Sequence, residues 1–214
     1  GGTCISASAL GNSTVVATIN NNFISPNNSV ASQGIGAGNS SALSNTDTPN
    51  MTITIHNNTI SNTDGNGILL VSRDASGSLM ASVKNNTVAA PLTGTRPGIR
   101  IDCGNSSGLD DAVCLDISGN TSAGSGDPAT TKAPGIGFRK QGAAPTINDY
   151  GIEGMAATSS PGVENFVNTQ NPGSAAGGPA SGAVGGTLLI SATSGFTNCS
   201  SAPLAPTGGA EGFK

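Results

Sequence analysis

Apolar and polar residues alternate along four short stretches of this chain, and each stretch ends in the same polar punctuation. Val16-Ala17-Thr18-Ile19 runs into Asn21-Asn22-Phe23-Ile24, and Ile53-Thr54-Ile55 into Asn57-Asn58-Thr59-Ile60. Ala81-Ser82-Val83 runs into Asn85-Asn86-Thr87-Val88, and Leu115-Asp116-Ile117 into Gly119-Asn120-Thr121-Ser122. A period of two rich in β-branched residues predicts strands with one face buried. Val16, Ile19, Ile53, Ile55 and Val83 are the expected inward positions. A second phrase follows each copy: Gly34-Ile35-Gly36, Gly67-Ile68-Leu69, Gly98-Ile99-Arg100 and Gly135-Ile136-Gly137. The second Asn recurs at 22, 58, 86 and 120, in steps of 36, 28 and 34 residues. Steps of that size mark solenoids, propellers or arrays.

The Asn positions fall where the chain must bend. Asn tolerates left-handed backbone angles and bonds its own backbone. Stacked at equal positions, Asn22, Asn58, Asn86 and Asn120 are expected to form a ladder whose amides bond from rung to rung, which satisfies them inside a crowded turn. Stretches such as Asn39-Ser40-Ser41 and Asn105-Ser106-Ser107 recur after the Gly-Ile phrase and give a third strand per rung. The segments between the phrases vary in length, as insertions on a solenoid face do. The predicted fold is all-β: a right-handed parallel β-helix of about four to five rungs with an atypical C-terminal capping segment. A propeller requires four strands per blade and aromatic signatures, and Trp is absent.

Rungs occupy residues 1–140. Residues 141–171 break the pattern and form the capping segment, which a solenoid needs to close its last edge. Within it Val163, Phe166 and Val167 have helical spacing behind Pro161, which predicts a short helix capped by Ser159 or Ser160. Residues 172–186 read as a Gly/Ala/Pro link, 187–199 as a C-terminal strand and 200–214 as a loose tail. Leu188, Leu189 and Ile190 are the expected assembly strand.

Composition sharpens this reading. Only 9% of residues are charged, 3% are aromatic and 32 of the 214 are Gly. Many short strands and turns fit those numbers; a large spherical core does not. The net charge of −4 and the scatter of the eight Lys and Arg exclude a nucleic-acid surface, which needs phosphate neutralisation. No apolar run reaches the 18 or so residues of a membrane span. The Gly1-Gly2 start is read as a mature or excised piece of a longer precursor. Cys4, Cys103, Cys114 and Cys199 lack metal-site spacing and lie far in sequence from His56. An even number in an exported chain predicts two disulfides. Three connectivities are open. Cys103 with Cys114 across a short loop leaves Cys4 with Cys199, within one subunit or between two; free buried thiols are the alternative.

Val113-Cys114-Leu115-Asp116-Ile117-Ser118-Gly119-Asn120-Thr121, Gly135-Ile136-Gly137-Phe138-Arg139-Lys140-Gln141-Gly142, Tyr150-Gly151-Ile152-Glu153-Gly154-Met155 and Leu189-Ile190-Ser191-Ala192-Thr193-Ser194-Gly195-Phe196 together resemble the C-terminal part of large bacterial β-strand-repeat surface proteins, right-handed β-helices of the pectate-lyase-like superfold. The resemblance spans roughly residues 113–199. It implies export, a structural or adhesive role and no agreed enzymatic activity. The fold alone does not decide function, because enzymes and adhesins share it.

Candidate chemistry is sparse. Cleavage of a polysaccharide needs a carboxylate cluster, or a calcium site with a basic residue nearby. Asp102, Asp110, Asp111 and Asp116 beside Arg100 are the candidates, and Arg100 and Asp102 share strand parity. Neighbouring rungs carry no matching acids, so the expected state is weak surface ion pairs. His56 reads as an exposed turn histidine with no nucleophile motif around it. Arg139-Lys140 is an isolated basic pair. No catalytic residue, metal or cofactor is assigned. The expected function is a secreted structural solenoid, a subunit of an extracellular filament, surface layer or adhesin. It would self-associate into a homopolymer by end stacking or strand addition. A polysaccharide-binding or polysaccharide-cleaving β-helix is the alternative.

Overall fold

The computed structural model describes residues 2–26, 31–40, 47–73, 77–103, 112–127, 131–140, 150–155, 160–174, 196–197 and 199. Four coils carry three strands each. They are β1 (Gly2–Ala9), β2 (Thr14–Asn20) and β3 (Phe23–Ile24); β4 (Ala31–Ser40), β5 (Asn50–His56) and β6 (Thr59–Ile60); β7 (Ile68–Arg73), β8 (Ser78–Lys84) and β9 (Thr87–Val88); β10 (Ile99–Cys103), β11 (Ala112–Ser118) and β12 (Thr121–Ser122). A short antiparallel pair follows, β13 (Gly126–Asp127) with β14 (Thr131–Lys132), and then β15 (Ile136–Lys140) and β16 (Tyr150–Ile152). Helix α1 (Ser160–Gln170) and β17 (Phe196–Thr197) are the last elements among the described residues.

Like strands of successive coils stack in parallel. Sheet A is β1-β4-β7-β10-β15, sheet B is β2-β5-β8-β11-β16-β17 and sheet C is β3-β6-β9-β12. The fold is the expected parallel β-helix, with about three full turns between the first and last strands of sheet C. The third strand is not the expected one. Asn39-Ser40 is the end of β4, and sheet C is built instead from the two residues after each ladder Asn.

Register fixes the core. On sheet B, Ala17, Ile53 and Ala81 align, as do Ile19, Ile55 and Val83. Ile53, Ile55 and Val83 are fully buried. Val16 corrects the sequence reading: it is 75% exposed, because a strand puts neighbours of opposite parity on opposite faces, and the inward set here is Val15, Ala17 and Ile19. On sheet A, Ile5, Ile35, Ile68 and Ile99 form one inward column, and Ala7, Ala37, Leu70, Ile101 and Phe138 the next. Thr59, Thr87 and Thr121 form an exposed column, one residue wide, on sheet C.

The sharp corner between sheets B and C explains the paired asparagines. The first of each pair adopts positive φ: 57° at Asn21, 57° at Asn57 and 55° at Asn85. Gly119 takes that place in the fourth coil with φ 67°, and a Cβ there would collide with the Asn85 side chain. The second of each pair is the ladder residue.

The predicted helix forms as α1 at 160–170. Val163 and Val167 are buried against the core, with Phe166 partly buried beside them. The capping segment 141–171 is not helix alone, because β16 within it continues sheet B beside β11. β17 then adds to β16 in parallel, so the C-terminal strand 187–199 contributes Phe196–Thr197. Leu188, Leu189 and Ile190 lie outside the described residues, as do almost all of the proposed link and the tail. No helix among the described residues is long and apolar enough to cross a membrane.

One disulfide is formed, Cys114–Cys199, and it corrects both suggested pairings. Cys103 shares an inward column with Ala9, Asn39 and Ser72 and is fully buried. Cys114 lies between inward Val113 and Leu115 and so faces outward. The two thiols stand on opposite faces of the wall and cannot meet. Cys4 is exposed on β1, at the opposite end of the solenoid from β17. Six strands of sheet B separate the ends by about 24 Å, far beyond the reach of a disulfide. The Cys114–Cys199 bond spans 85 residues and ties the terminal strand to the outer face of β11. Reduction, or Cys199→Ser, should cost about 2–4 kcal/mol. Thermal melts with and without dithiothreitol will show the loss, and Cys4→Ser should leave the melt in place.

Candidate functional site

The residues repeated in every coil are spent on the inside of the wall. Asn58 Oδ1 accepts from the backbone N–H of Asn22 at 3.0 Å and its amide at 2.8 Å. Asn86 Oδ1 accepts the same two bonds from Asn58, and Asn120 Oδ1 from Asn86. Each amide also donates to a strand carbonyl one coil back: Asn58 to Ile19, Asn86 to Ile55 and Asn120 to Val83. All four expected residues thus form the ladder, and Asn58, Asn86 and Asn120 are buried.

The structure adds a fifth member that carries no repeat phrase. Asn171 follows α1, and its Oδ1 accepts from the N–H of Asn120 at 3.0 Å and its amide at 2.9 Å. Gln170 O accepts from Gly119 N–H, and Ser174 Oγ donates to Asn120 O. The only hint in the sequence is Asn171-Pro172-Gly173, a turn signal with no strand before it.

The ladder has a direction. Every Oδ1 accepts from the coil before it. Asn171 closes one end beneath α1, whereas Asn22 Oδ1 meets no donor among the described residues. At that first end β1, β2 and β3 are each paired on one side only. Ile5, Ala7, Val15 and Ala17 are only partly buried, and Phe23 is 77% exposed.

Two clusters of outward ionisable residues occur among the described residues. On sheet A, Arg100 and Asp102 share a face, as their parity predicts, and Arg139 from the next coil joins them. Asp102 accepts from Arg100 Nε at 2.7 Å and Nη2 at 3.1 Å, and from Arg139 Nε at 3.2 Å and Nη2 at 2.8 Å. Its side chain is 3% exposed. This is a buried, doubly bidentate clamp between β10 and β15, not the weak surface pairing expected. Asp110 and Asp111 lie outside the described residues.

On sheet B, His56 ends β5 rather than standing in a turn. Its Nε2 lies 2.8 Å from Ser82 Oγ, and Lys84 on the next strand pairs with Asp116. Burial first, then the Lys84 charge, hold the His56 pKa below its ordinary value near 6.5, against a smaller upward pull from Asp116. The unfolded chain therefore takes up a proton that the folded chain resists, and stability falls as pH drops below about 6.5. Urea denaturation at pH 7.5 and 5.0 should show this loss reduced in His56→Gln. Ser82 is 1% exposed, so its hydroxyl is closed to a substrate, and the His–Ser contact is a brace between strands.

Beside this cluster, Ile152 pairs with Leu115 and brings Glu153 next to Asp116. With Lys84, Ser118, Phe166 and Gln170 they line a groove of about 290 Å³ between sheet B and α1. No group of three or more metal-ligating side chains occurs among the described residues. Comparison of the chain with protein-family models, with characterised proteins and with solved structures finds no match.

Proposed function

We propose that this chain is a structural β-solenoid of an exported surface protein, a rigid segment of a surface layer, adhesin or filament that joins other solenoid segments through its end. The observation that carries this reading is the contrast between the two ends of the ladder. Asn171 closes it beneath α1 at the last coil, while at the first coil Asn22 Oδ1 meets no donor among the described residues and the inward Ile5, Ala7, Val15 and Ala17 are only partly buried. Two further features support it. The ladder asparagines serve internal stacking, and Arg100, Asp102, Arg139, Lys84 and Asp116 are engaged in ion pairs within the wall. The Cys114–Cys199 disulfide fits an oxidising compartment outside the cytoplasm. The expected homopolymer built head to tail through the ends meets an obstacle at the ladder, since the amide of its last member, Asn171, is already donated to Val167 O and Ile117 O.

The groove holding Asp116, Glu153 and Phe166 favours a second reading, a polysaccharide-binding wall, because carboxylates beside an aromatic ring suit a sugar's hydroxyls and apolar face. Negative-stain microscopy of native material, paired with a turnover and binding screen on neutral and acidic polysaccharides, separates the two. Extended assemblies that hold this chain among other solenoid segments, without turnover, are expected. Turnover abolished by Asp116→Asn or Glu153→Gln would overturn the structural reading.

A further inference from the structure

We infer that the open first coil is a docking end for one kind of partner: the C-terminal edge of another parallel β-helix segment that carries a ladder asparagine. The inference rests on the structural reading above and names the chemistry of the partner. Three observations carry it. The edges of β1, β2 and β3 lie at the same end of their sheets, so an incoming coil must supply three strands at once, as a β-helix coil does and a single peptide strand does not. The inward residues Ile5, Ala7, Val15 and Ala17 are partly exposed, whereas their counterparts one coil on, Ile35, Ala37, Met51 and Ile53, are buried to 5% exposure or less. A stacked coil completes the layer they belong to.

The ladder then selects the polarity. Asn22 Oδ1 is an acceptor, and at each later step that atom is filled by a backbone N–H and an amide of the preceding Asn. Only the trailing edge of a coil with an Asn at this register presents both donors. A second copy of this chain does not. Its own ladder ends in Asn171 beneath α1, whose amide is already donated to Val167 O and Ile117 O. Its leading edge offers the same unfilled acceptor, on strands that would pair antiparallel.

The test fuses a copy of residues 67–97, one complete coil, directly ahead of Gly1 in the full chain. This places the ladder Asn of the added coil 33 residues before Asn22, within the native steps of 28 to 36. A second fusion uses residues 34–66. The expected result is a rise in melting midpoint of about 5 °C or more, with at least about tenfold slower amide exchange in β1 and β2. Replacing the ladder Asn of the added coil by Ala should remove more than half of both gains. Unchanged exchange in β1 and β2 in both fusions overturns the inference, as does an equal gain from the Ala version. So does a concentration-dependent dimer of the unmodified chain that either fusion abolishes, because it would show a second copy on this end. Polysaccharide turnover would instead sink the structural reading and leave the exchange result standing.

Discussion

Asn86→Ala will lower the unfolding free energy by about 4 kcal/mol or more, whereas Asn22→Ala will cost about 1 kcal/mol. The side chain of Asn86 takes part in four bonds in the dry interior of the wall. It accepts from the Asn58 N–H and amide and donates to Ile55 O and Asn120 Oδ1. Truncation strands the buried Asn58 N–H outright, and an unsatisfied buried donor costs about 1–3 kcal/mol by itself. The remaining losses add about 1 kcal/mol each. Asn22 sits at the open end, where water replaces its two amide contacts, to Asn20 O and Asn58 Oδ1. Urea titrations of both variants measure the contrast. Asn86→Asp should be no better than Ala, since it retains the acceptor but removes both donations and buries a charge. Because Asn58 and Asn86 share bonds, the double Ala variant should lose less than the two single losses combined. Equal costs at the two positions would show that the ladder does not act as one buried network.

Asp102→Ala is the second large expected effect, a loss of about 3–5 kcal/mol. The carboxylate is almost fully buried between two guanidinium groups, themselves 16% and 15% exposed at the side chain. Its removal leaves like charges facing each other across the space it filled. Arg100→Ala should cost less, about 1–3 kcal/mol, because Asp102 keeps the Arg139 clamp. Arg100→Met, Asp102→Leu and Arg139→Met together should recover much of the loss, since a buried ion triad replaced whole by apolar groups of similar volume is often neutral. The stability of these variants in urea at fixed pH decides the matter. A loss below about 1 kcal/mol for Asp102→Ala would place the cluster with ordinary surface pairs.

What the sequence made legible was whatever repeats locally. A period of two, broken by Asn-Asn and resumed after Gly-Ile, fixed the strands and the four ladder positions, because stacking forces equal residues into equal places. The helix was legible for the same reason, since the spacing of Val163, Phe166 and Val167 is itself the packing pattern. Pairings between distant segments were not legible. Cys114 found Cys199 because an outward face, a property of register, excluded Cys103. Asn171 joined the ladder from a helix end, with no strand phrase to mark it. Asp102 looked like a surface acid because nothing local shows that Arg139, on the next coil, closes over it. Val16 is a smaller case: Val16 and Ile19 have opposite parity on one strand, so only Ile19 faces inward.

The ladder also bears on how this protein ages. Asparagine loses its amide when the nitrogen of the next residue swings round to attack the side-chain carbonyl, and a chain so rich in Asn would seem exposed to that slow damage. Here the attacking nitrogens are held. After the ladder positions, the N–H groups of Thr59, Thr87 and Thr121 donate to Asn22 O, Asn58 O and Asn86 O. After the left-handed positions, those of Asn22, Asn58 and Asn86 donate to the Oδ1 of the following coil. The contacts that stack the coils thus also hold these amides away from the geometry of that reaction.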